Sequence, residues 1–327
     1  MKYKALRVKE ENGGFLASID DLEVAELPEN HVRVRVEFSS LNFKDALSFS
    51  GNKGVTRSYP HTPGIDAAGV VEASNDANFK VGDKVIVTGY DLGMNTNGGF
   101  GELITVPANW VVARPEAMSA RAAMSWGTAG LTAALCVEKL LPYINAGAKV
   151  AVTGSSGGVG SIAIQLLAKL GFKPIAVTRS ASKMGELKAI GAHECILLDD
   201  LKAPVEKRPL GKPSFDAAID TIGGETLDAL LKQTGYQGSV ACCGLVESPA
   251  LNTTVLPFIL RGVNLLGVDS VELPIETKQS LWNKLAVDWT LENLEEHTHE
   301  ITLNDLSDRL SRILSGDSSG HYVLRHG

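Results

Sequence analysis

The chain is 327 residues long, 44% hydrophobic and 21% charged, with a formal net charge of -7. These values describe a folded globular protein and exclude the disordered and fibrous classes. Lysine and arginine are scattered along the chain, so nothing indicates a nucleic-acid partner. The longest apolar runs, such as VLPFIL, are too short to cross a bilayer, and the N-terminus lacks the apolar stretch of a signal peptide. We therefore expect a cytoplasmic protein with no membrane partner.

Up to about residue 120, short runs of alternating hydrophobic and polar residues are separated by turn-forming clusters such as VGDK and NTNGGFG. Period-two alternation is typical of strands with one buried face, so this part is predicted to be a mostly antiparallel β domain. The predicted strands are HVRVRVEF at 31–38, GVVEAS at 69–74, KVIVTG at 84–89 and ELITVP at 102–107.

From residue 119 onward the pattern changes. An Ala-rich helical stretch, SARAAMSWGTAGLTAALCVEKLL, precedes short buried-strand runs that alternate with helical segments. Six such runs in βαβ rhythm predict a doubly wound parallel sheet, so the predicted fold class is α/β. The runs are AKVAVTG, KPIAVTR, ECILLD, FDAAIDTIG, GSVACCG and VNLLGVD.

After about residue 271 the chain is predicted to be helical, over TKQSLWNKLAVDWTLENL and LNDLSDRLSRILSG, and to end on the strand HYVLRH. A terminal strand of this kind most simply rejoins the sheet of the first domain. We therefore predict that a cofactor-binding domain, 123–270, is inserted between two parts of one catalytic domain, 1–122 and 271–327.

The cysteines do not have the spacing of a disulfide framework or of a paired CxxC metal site. They stand among apolar neighbours, which favours buried, reduced thiols. The residues concerned are Cys136, Cys195, Cys242 and Cys243.

The segment VAVTGSSGGVGSIAIQLLAKLG, residues 150–171, places a glycine-rich turn between a strand and a helix. At such a turn, free N–H groups and the positive end of the helix dipole face an anion. A second strand follows about twenty residues on, and this arrangement predicts a dinucleotide-binding fold. A tight turn that binds nothing is the alternative. The predicted contacts are Ser156, Gly157, Gly158, Val159 and Gly160.

The end of the second strand selects the dinucleotide. A carboxylate there would bond the ribose 2′-hydroxyl of NAD, whereas a 2′-phosphate needs a cation. Here the strand PIAV runs into Thr178, Arg179, Ser180 and Lys183, with no acid before Glu186. Arg179 can stack on and bond the phosphate, and Ser180 and Lys183 add donors and charge. The predicted cofactor is therefore NADPH; the alternative is that Arg179 and Lys183 only begin a solvated helix.

A set of segments along the whole chain carries a family resemblance. The segments are NFKDAL at 42–47, PGIDAAGVV at 63–71, FKVGDKV at 79–85, GGFGELITV at 98–106, GTAGLTA at 127–133, TGSSGGVGS at 153–161 and PFILRGVNLLGVDS at 257–270. In this order they resemble the medium-chain dehydrogenase/reductase superfamily. More narrowly, the chain resembles the zinc-independent, quinone-oxidoreductase-like branch that contains the NADPH-dependent acryloyl-CoA reductases. This implies a GroES-like, mostly β catalytic domain and a Rossmann-type doubly wound parallel sheet.

Zinc-dependent relatives in this superfamily take a catalytic Cys near the NFKD position and a His from a GHE segment. Here NFKD has no Cys, and PGID has Ile65 and Asp66 in place of the His and the Glu. The four clustered cysteines of a structural zinc site are also missing between 85 and 110. The resemblance therefore implies chemistry without a metal Lewis acid, which suits a C=C already activated by a thioester or quinone carbonyl.

The implied reaction is hydride transfer from nicotinamide C4 to the β-carbon of a 2-enoyl-CoA thioester, with acryloyl-CoA giving propanoyl-CoA, followed by protonation of the α-carbon. By resemblance, Asn42, Phe43 and Lys44 line the nicotinamide end of the cleft, and Thr128 lies near the carboxamide. The resemblance implies three further cofactor contacts, Leu245, Ile259 and Ser270.

Several of these roles have alternatives. The catalytic candidates are Asn42, Lys44 and Asp45, but Asp45 also suits a helix cap or an ion pair to Lys44. Phe43 and Ile259 also suit core packing. The α-proton comes from solvent or from one of three residues among which spacing does not select, Tyr59, Tyr90 and Asp91.

The substrate and the assembly are expectations of the same kind. The phosphates of CoA need cations, and the candidates are Lys44, Lys53, Arg57 and Arg261. The run VNLLGVDS, 263–270, is predicted to be the edge strand of the second sheet and to pair with its symmetry mate in a homodimer. The alternatives for function are an NADPH:quinone oxidoreductase and a non-catalytic NADPH-binding protein.

Overall fold

The computed structural model describes residues 1–316 and 320–327. In chain order its strands are β1 (Lys2–Glu11), β2 (Gly14–Glu23), β3 (His31–Ser40), β4 (Asp66–Ser74), β5 (Lys84–Thr88), β6 (Leu103–Pro107), β7 (Val111–Ala113), β8 (Lys149–Val152), β9 (Lys173–Thr178), β10 (Glu194–Leu197), β11 (Phe215–Asp220), β12 (Thr234–Cys242), β13 (Asn264–Gly267), β14 (Thr298–Ile301) and β15 (His321–Arg325).

The α-helices are α1 (Phe43–Phe49), α2 (Ala120–Leu140), α3 (Gly158–Lys169), α4 (Met184–Ala189), α5 (Leu198–Lys202), α6 (Gly224–Gln233), α7 (Leu256–Arg261), α8 (Ile275–Val287) and α9 (Leu306–Ser315). Short 3-10 helices lie at Ala108–Trp110, Leu141–Tyr143, Ala181–Lys183 and Leu303–Asp305. The chain divides into two compact units: unit 1 is Met1–Thr128 with Ser270–Gly327, and unit 2 is Ala129–Asp269.

Unit 1 is built on a mostly antiparallel sheet with the strand order β14-β15-β3-β4-β5-β7, in which β6 pairs with β3; β1 and β2 form a separate hairpin. Its central strand follows the predicted alternation, because Val32, Val34 and Val36 are buried in the core while successive side chains point to opposite faces. The C-terminal strand β15 pairs antiparallel with β3, so the prediction that it rejoins this sheet is confirmed.

Unit 2 contains a parallel sheet in the order β10-β9-β8-β11-β12-β13. Numbered within this unit, the order is the 3-2-1-4-5-6 arrangement of the doubly wound dinucleotide-binding fold. Each of the predicted strand runs forms one strand of this sheet, and β13 lies at its edge as predicted. The α/β fold class is therefore confirmed.

Two predicted segments differ in extent. The helix predicted over 277–294 ends at Val287, where the N–H groups of Asp288 and Trp289 both bond to the carbonyl of Lys284 and close the last turn. The predicted edge run 263–270 is regular only over β13, and the chain then enters unit 1 at Ser270. No helix among residues 1–316 and 320–327 has the length and apolar character required to span a membrane.

Candidate functional site

The glycine-rich turn of unit 2 connects β8 to the N-terminus of α3, with Gly157 as the helix N-cap. Two of its glycines are required by the fold itself. A Cβ at Gly154, where φ is 58°, would lie 2.2 Å from the hydroxyl oxygen of Thr221, and a Cβ at Gly160 would lie 2.3 Å from the carbonyl oxygen of Gly154. No side chain fits at those distances, so these glycines allow the strand, the turn and the helix to pack closely.

Gly157 has a different role. The nearest atom to a Cβ placed there is the Gly154 carbonyl oxygen at 3.3 Å, so the fold alone does not demand glycine as strongly. The predicted contacts Ser156, Gly157, Gly158 and Val159 are all half-exposed, whereas Gly160 is buried. The first turn of α3 therefore presents accessible backbone, and free N–H groups at a helix N-terminus favour an anion.

The switch point of the sheet lies between β8 and β11, the neighbouring strands from which the chain winds in opposite directions. The ends of these strands are joined by hydrogen bonds of Thr153 and Thr221. The Thr153 hydroxyl donates to Asp220 Oδ1 at 2.9 Å, and the Thr221 hydroxyl donates to the Thr153 carbonyl at 3.0 Å. Ligands of doubly wound sheets bind in the crevice at this point. Sequence reasoning did not identify these two threonines. Their proximity becomes apparent only in the fold, where Thr221 packs against Gly154.

The residues predicted to distinguish NADPH from NADH lie at and after the end of β9. Thr178 is buried and its hydroxyl oxygen accepts the N–H of Ser180 at 3.2 Å, while Arg179 and Ser180 are exposed. The Ser180 hydroxyl is 2.8 Å from that of Ser182, and Lys183 Nζ is 3.1 Å from Glu186 Oε2. The cation at the strand end is therefore the exposed guanidinium of Arg179, since Lys183 already has a carboxylate neighbour.

The remaining predicted cofactor contacts fall in both units. Leu245 and Ile259, in unit 2, are 60% and 69% exposed, and Phe43, in unit 1, is 37% exposed. Such large exposed apolar side chains do not form a core, so the core-packing alternative for Phe43 and Ile259 does not hold in these units. Ser270 is buried in unit 1. Their contacts with a cofactor stay predictions.

In unit 1 the NFKD segment forms the start of α1, where Asn42 and Asp45 are reciprocal members of a capping box. The Asp45 carboxylate accepts the N–H of Asn42 and the N–H of Ile65, both at 2.8 Å. Asp45 is fully buried, and within the described residues its hydrogen bonds go to backbone and amide groups rather than to Lys44. The structure thus gives Asp45 the capping role that the sequence left as an alternative; a catalytic role for it stays a prediction.

Burial and, to a smaller extent, the nearby Asp66 carboxylate raise the pKa of the Asp45 carboxyl, and hydrogen bonds from Ile65 and Asn42 lower it; the net result is a pKa of about 7. Desolvation penalises the charged form, and a second carboxylate does the same. Asp45 therefore holds its proton well above the pH at which an exposed carboxyl loses it.

Asp66, at the start of β4, is the centre of a buried polar cluster. The Asn42 side-chain amide donates to Asp66 Oδ2 at 2.8 Å, and the N–H of Thr128 donates to the same oxygen at 2.9 Å. The hydroxyls of Ser40 and Thr128 also donate to this carboxylate. We call Ser40, Asn42, Asp66 and Thr128 the Asp66 cluster. Sequence reasoning had noted Asp66 only as a substitute for a glutamate.

The approach of Thr128 to Asp66 depends on an interruption of α2 at Gly127, where φ is 52°. A Cβ at this position would lie 2.4 Å from the Ser40 hydroxyl oxygen and 2.9 Å from Asp66 Oδ2. A side chain is excluded by both the backbone conformation and the space. An isolated glycine in a helical pattern is the one signal by which the sequence could have indicated this site.

The residues considered as proton donors are already engaged. The Tyr59 hydroxyl donates to the Ser48 carbonyl at 2.6 Å, and the Tyr90 hydroxyl donates to the Leu273 carbonyl at 2.7 Å. The Asp91 carboxylate accepts from the side chains of Asn95 and Thr96. None of the three is therefore distinguished as a donor by its hydrogen bonds.

The cations predicted for CoA phosphates are not equivalent. The Arg261 guanidinium donates to the carbonyls of Gly211, Lys232 and Thr234, which makes it a structural residue of unit 2. Lys53 Nζ is 2.6 Å from Glu10 and lies over the Tyr59 ring. Lys44 is half-buried and Arg57 is exposed. The two residues that best suit an anionic ligand are therefore Lys44 and Arg57.

The position of a catalytic zinc does not carry a ligand set for that metal. The structure has an amide, an aliphatic side chain and a carboxylate there, in Asn42, Ile65 and Asp66, and the carboxylate already accepts hydrogen bonds from four donors. Zinc sites use Cys, His and carboxylate ligands in a tetrahedral arrangement. Across residues 1–316 and 320–327, no group of three or more His, Cys, Asp or Glu side chains is placed to hold a metal ion. These residues do not fit zinc.

Each of the two units contains a segment that matches a known protein family. Residues 28–116 match the alcohol dehydrogenase GroES-like domain, and residues 158–288 match the family described as zinc-binding dehydrogenase. The chain is 41% identical to the probable acrylyl-CoA reductase AcuI of Escherichia coli, over 98% of this chain and 99% of that protein. It is 36% identical to the putative quinone oxidoreductase YhfP of Bacillus subtilis, over 99% of this chain and 98% of that protein.

Solved structures give the same result. The yhdH oxidoreductase of Salmonella enterica, crystallised with NADP, superposes with a TM-score of 0.94 at 42% identity and covers 99% of this chain and 100% of that chain. The Bacillus subtilis yhfP protein, crystallised with NAD, gives a TM-score of 0.95 at 35% identity and covers both chains completely. The protein belongs to the medium-chain dehydrogenase/reductase superfamily. Within it, the chain is similar to acrylyl-CoA reductases and quinone oxidoreductases, and the family resemblance inferred from its sequence is confirmed.

Proposed function

We propose that the protein is an NADPH-dependent reductase of the C=C bond of 2-enoyl-CoA thioesters, with acryloyl-CoA as the foremost substrate. The choice of NADPH as cofactor rests on the exposed Arg179 at the end of β9, which is followed by no acidic residue before Glu186. It rests also on the N-terminus of α3, where Gly157 is the N-cap and no side chain caps the helix. The substrate half rests on the near-complete match to a relative named probable acrylyl-CoA reductase.

When bound, NADPH supplies a hydride, which a substrate conjugated to a thioester carbonyl accepts at its β-carbon. In unit 2, the N–H groups at the start of α3 would hold the diphosphate, and Arg179 would hold the 2′-phosphate. In unit 1, the Asp66 carboxylate holds Asn42 and Thr128 in place through hydrogen bonds. A thioester needs no metal to activate its C=C, which agrees with a site that does not fit zinc.

A charged substrate is favoured over a neutral one by the basic residues next to the NFKD segment. Within the part of the chain that the structure describes, Lys53 is paired with Glu10, whereas Lys44 and Arg57 have no carboxylate within ion-pair distance. Attraction between such groups and CoA phosphates falls as salt screens it. We therefore expect raised ionic strength to weaken turnover of acryloyl-CoA and to leave turnover of benzoquinone almost unchanged.

The test is a comparison of kcat/KM for acryloyl-CoA, crotonyl-CoA and benzoquinone with NADPH, at low and at high salt. We expect acryloyl-CoA to exceed benzoquinone by at least about tenfold, equivalent to about 1.4 kcal/mol of transition-state binding. A protein that oxidises NADPH faster with benzoquinone, or that responds to salt identically with both substrates, is a quinone oxidoreductase. A protein that binds NADPH and turns over none of the three is the non-catalytic alternative.

The quinone alternative has its own support, since one relative is named a putative quinone oxidoreductase and its structure was solved with NAD bound. An NADPH:quinone oxidoreductase would use Arg179 in the same way, so the substrate comparison, and not the preference for NADPH, separates the two functions.

We further propose that the protein is cytoplasmic and acts as a homodimer through β13. This strand is the edge of the unit 2 sheet, and the exposed Leu265 lies on it. An open edge strand with an apolar face invites pairing, and a two-fold axis satisfies it without further growth. Light scattering at micromolar concentration should give twice the chain mass of 34.7 kDa; a monomer would contradict this assembly.

A further inference from the structure

Unit 1 contains a cavity of about 750 Å³. Its walls are formed mainly by β3, by the start of β5, by the segment that joins β7 to α2 and by the residues that follow β15. All of these belong to unit 1, so the cavity is complete within that unit. Among the described residues that line it, none belongs to the Asp66 cluster or to the NFKD segment. Small-molecule sites in proteins have volumes of about 300–1,000 Å³, so this cavity has the size of a binding site.

Two buried polar atoms of residues that line the cavity have no hydrogen-bond partner within residues 1–316 and 320–327, namely Nε of Arg114 and Nδ1 of His326. The Arg114 side chain is 5% exposed and His326 is 7% exposed. Both residues bond to Glu37 on β3, because Arg114 Nη1 donates to its carboxylate at 3.0 Å and the N–H of His326 donates to its carbonyl at 3.1 Å. A buried polar group without a partner costs free energy, which a ligand removes by supplying the missing bond.

The two atoms have opposite hydrogen-bonding character. Nε of an arginine carries a hydrogen and can only donate. Nε2 of His326 lies 2.8 Å from the carbonyl oxygen of Gly99, which can only accept, so Nε2 holds the hydrogen of the neutral ring and Nδ1 is an acceptor. Burial lowers the pKa of His326, against that hydrogen bond and the charge of Glu102, and so favours the neutral ring. A ligand that bonds to both atoms must therefore present one acceptor and one donor.

The charged side chains around the cavity show the same division. Most of them already bond within the protein. The ion pairs are Arg35 with Glu72, Arg114 with Glu37, and Arg121 with both Glu295 and Glu300. The Glu102 carboxylate accepts the N–H of Lys4 at 2.7 Å. Lys84 and Glu116 are exposed and form no ion pair with any residue that the structure describes. One cation and one anion are thus free to attract a ligand that carries both charges.

We propose that this cavity binds a free α-amino acid with a large apolar side chain. An α-amino acid carries an acceptor-only carboxylate and a donor-only ammonium on one carbon atom. In this arrangement the carboxylate accepts from Arg114 Nε and is attracted by Lys84, and the ammonium donates to His326 Nδ1 and is attracted by Glu116. Neither buried atom is exposed to solvent, so the two bonds form through small side-chain adjustments, which are common on binding.

The apolar part of the cavity determines which amino acids fit. Phe38 is half-buried and Met118 is buried, and both line the cavity. Methionine sulfur makes favourable contacts with aromatic rings, so an aromatic ligand gains from both residues. Phenylalanine is therefore the probe of choice. The inference does not depend on the proposed function, because it uses no residue assigned to NADPH or to the enoyl thioester.

The first test is isothermal titration of the full chain with L-phenylalanine and two analogues. 3-Phenylpropanoate lacks the ammonium group, and 2-phenylethylamine lacks the carboxylate. We expect phenylalanine to bind at least about tenfold more tightly than either analogue, because each analogue loses one charge-assisted hydrogen bond. An analogue that binds as tightly as phenylalanine, or no binding of phenylalanine at millimolar concentration, would overturn the proposal.

The variant His326→Gln locates the ammonium group. A glutamine amide can still donate to the Gly99 carbonyl, but it has no acceptor in place of Nδ1. We expect the Kd for phenylalanine to rise about tenfold, while the Kd for 3-phenylpropanoate changes by less than about twofold. Equal weakening of both ligands would show that His326 only supports the cavity wall and would contradict its role as acceptor.

The exposed charges keep the proposal testable if His326→Gln does not fold. Lys84→Gln should weaken phenylalanine and 3-phenylpropanoate alike, by about threefold, whereas Glu116→Gln should weaken phenylalanine alone, as expected for single exposed ion pairs. Lys80→Gln is the matched control, since Lys80 is an exposed lysine outside the cavity. Unchanged affinity for phenylalanine in both rim variants would overturn the proposal. None of these titrations contains NADPH or acryloyl-CoA, so a failure here is distinct from a failure of the proposed function.

Discussion

The glycine-rich turn of unit 2 and the Asp66 cluster of unit 1 both bring polar groups together, but they do so by different means. The turn uses backbone N–H groups from one short segment, and its glycines remove side chains that would block the packing. The cluster uses side chains from residues that are 26 and 62 positions apart, joined only by folding. A site made of backbone is therefore visible in the sequence, whereas a site made of distant side chains is not.

The largest expected effect is at the glycine on which the cluster depends. In Gly127→Ala the new Cβ meets Ser40 and Asp66 at a residue with positive φ, so backbone strain and overpacking add. We expect a loss of about 4 kcal/mol in the free energy of unfolding, measured by denaturant titration. Gly13→Ala is the control, since Gly13 also has positive φ but no atom within 4 Å of its Cβ position. Equal losses in the two variants would show that the cluster is not what requires Gly127.

The glycines of the turn can be separated in the same way. Gly160→Ala places a Cβ 2.3 Å from a backbone oxygen and should cost about 3 kcal/mol of stability. In Gly157→Ala the new Cβ lies 3.3 Å from the nearest atom, the Gly154 carbonyl oxygen, so we expect a stability close to that of the wild type. We expect weaker binding of NADPH, because the methyl group would stand where the diphosphate approaches the helix N-terminus. Thermal unfolding and a cofactor titration of both variants test this; a Gly157→Ala protein with normal NADPH affinity would refute the ligand role.

Cofactor choice is expected to depend on one side chain of unit 2. Arg179→Ala should cost about 1.5–3 kcal/mol of NADPH binding, the range for hydrogen bonds to charged groups, and leave NADH binding nearly unchanged. Lys188→Ala, which removes an exposed cation from α4, is the matched control. Isothermal titration with both cofactors measures the effect. Equal losses for NADPH and NADH in Arg179→Ala would contradict the assignment of the 2′-phosphate to Arg179.

The smallest expected effect is a pH dependence in unit 1. The pKa of Asp45 is raised to about 7 in the folded protein, so between its ordinary value near 3.8 and about 7 the unfolded chain binds fewer protons than the folded one. Its contribution to stability is therefore present at low pH and is lost as pH rises through about 7. Because Asn does not titrate, the stability of wild type relative to Asp45→Asn should fall by at least about 1 kcal/mol between pH 5 and pH 8.

Denaturant titration of both proteins at the two pH values measures this difference. The other titrating groups are common to the two proteins and cancel in the comparison. A difference that is the same at pH 5 and pH 8 would show that Asp45 is ionised in the folded protein across this range.

The same contrast explains how much the sequence could predict. The strands of both units, the return of β15 to the first sheet and the position of the turn follow from hydrophobic periodicity and glycine placement, which are local signals. The hydrogen bonds of Asp66 and the threonine pair at the switch point are not local, because Thr153 and Thr221 are 68 residues apart. A local signal can also suggest a role that the fold does not favour. The charge of Arg261 suggested an anion site, yet its guanidinium donates to three backbone carbonyls of unit 2.

The central claim is that the protein delivers a hydride to the β-carbon of an enoyl thioester. The most direct measurement uses NADPH carrying deuterium at the transferred C4 position, with acryloyl-CoA in ordinary water, and locates the label in the product by NMR. We predict propanoyl-CoA with one deuterium on C3 and a solvent-derived hydrogen on C2. Deuterium on C2, or NADPH oxidation without any labelled propanoyl-CoA, would contradict the account.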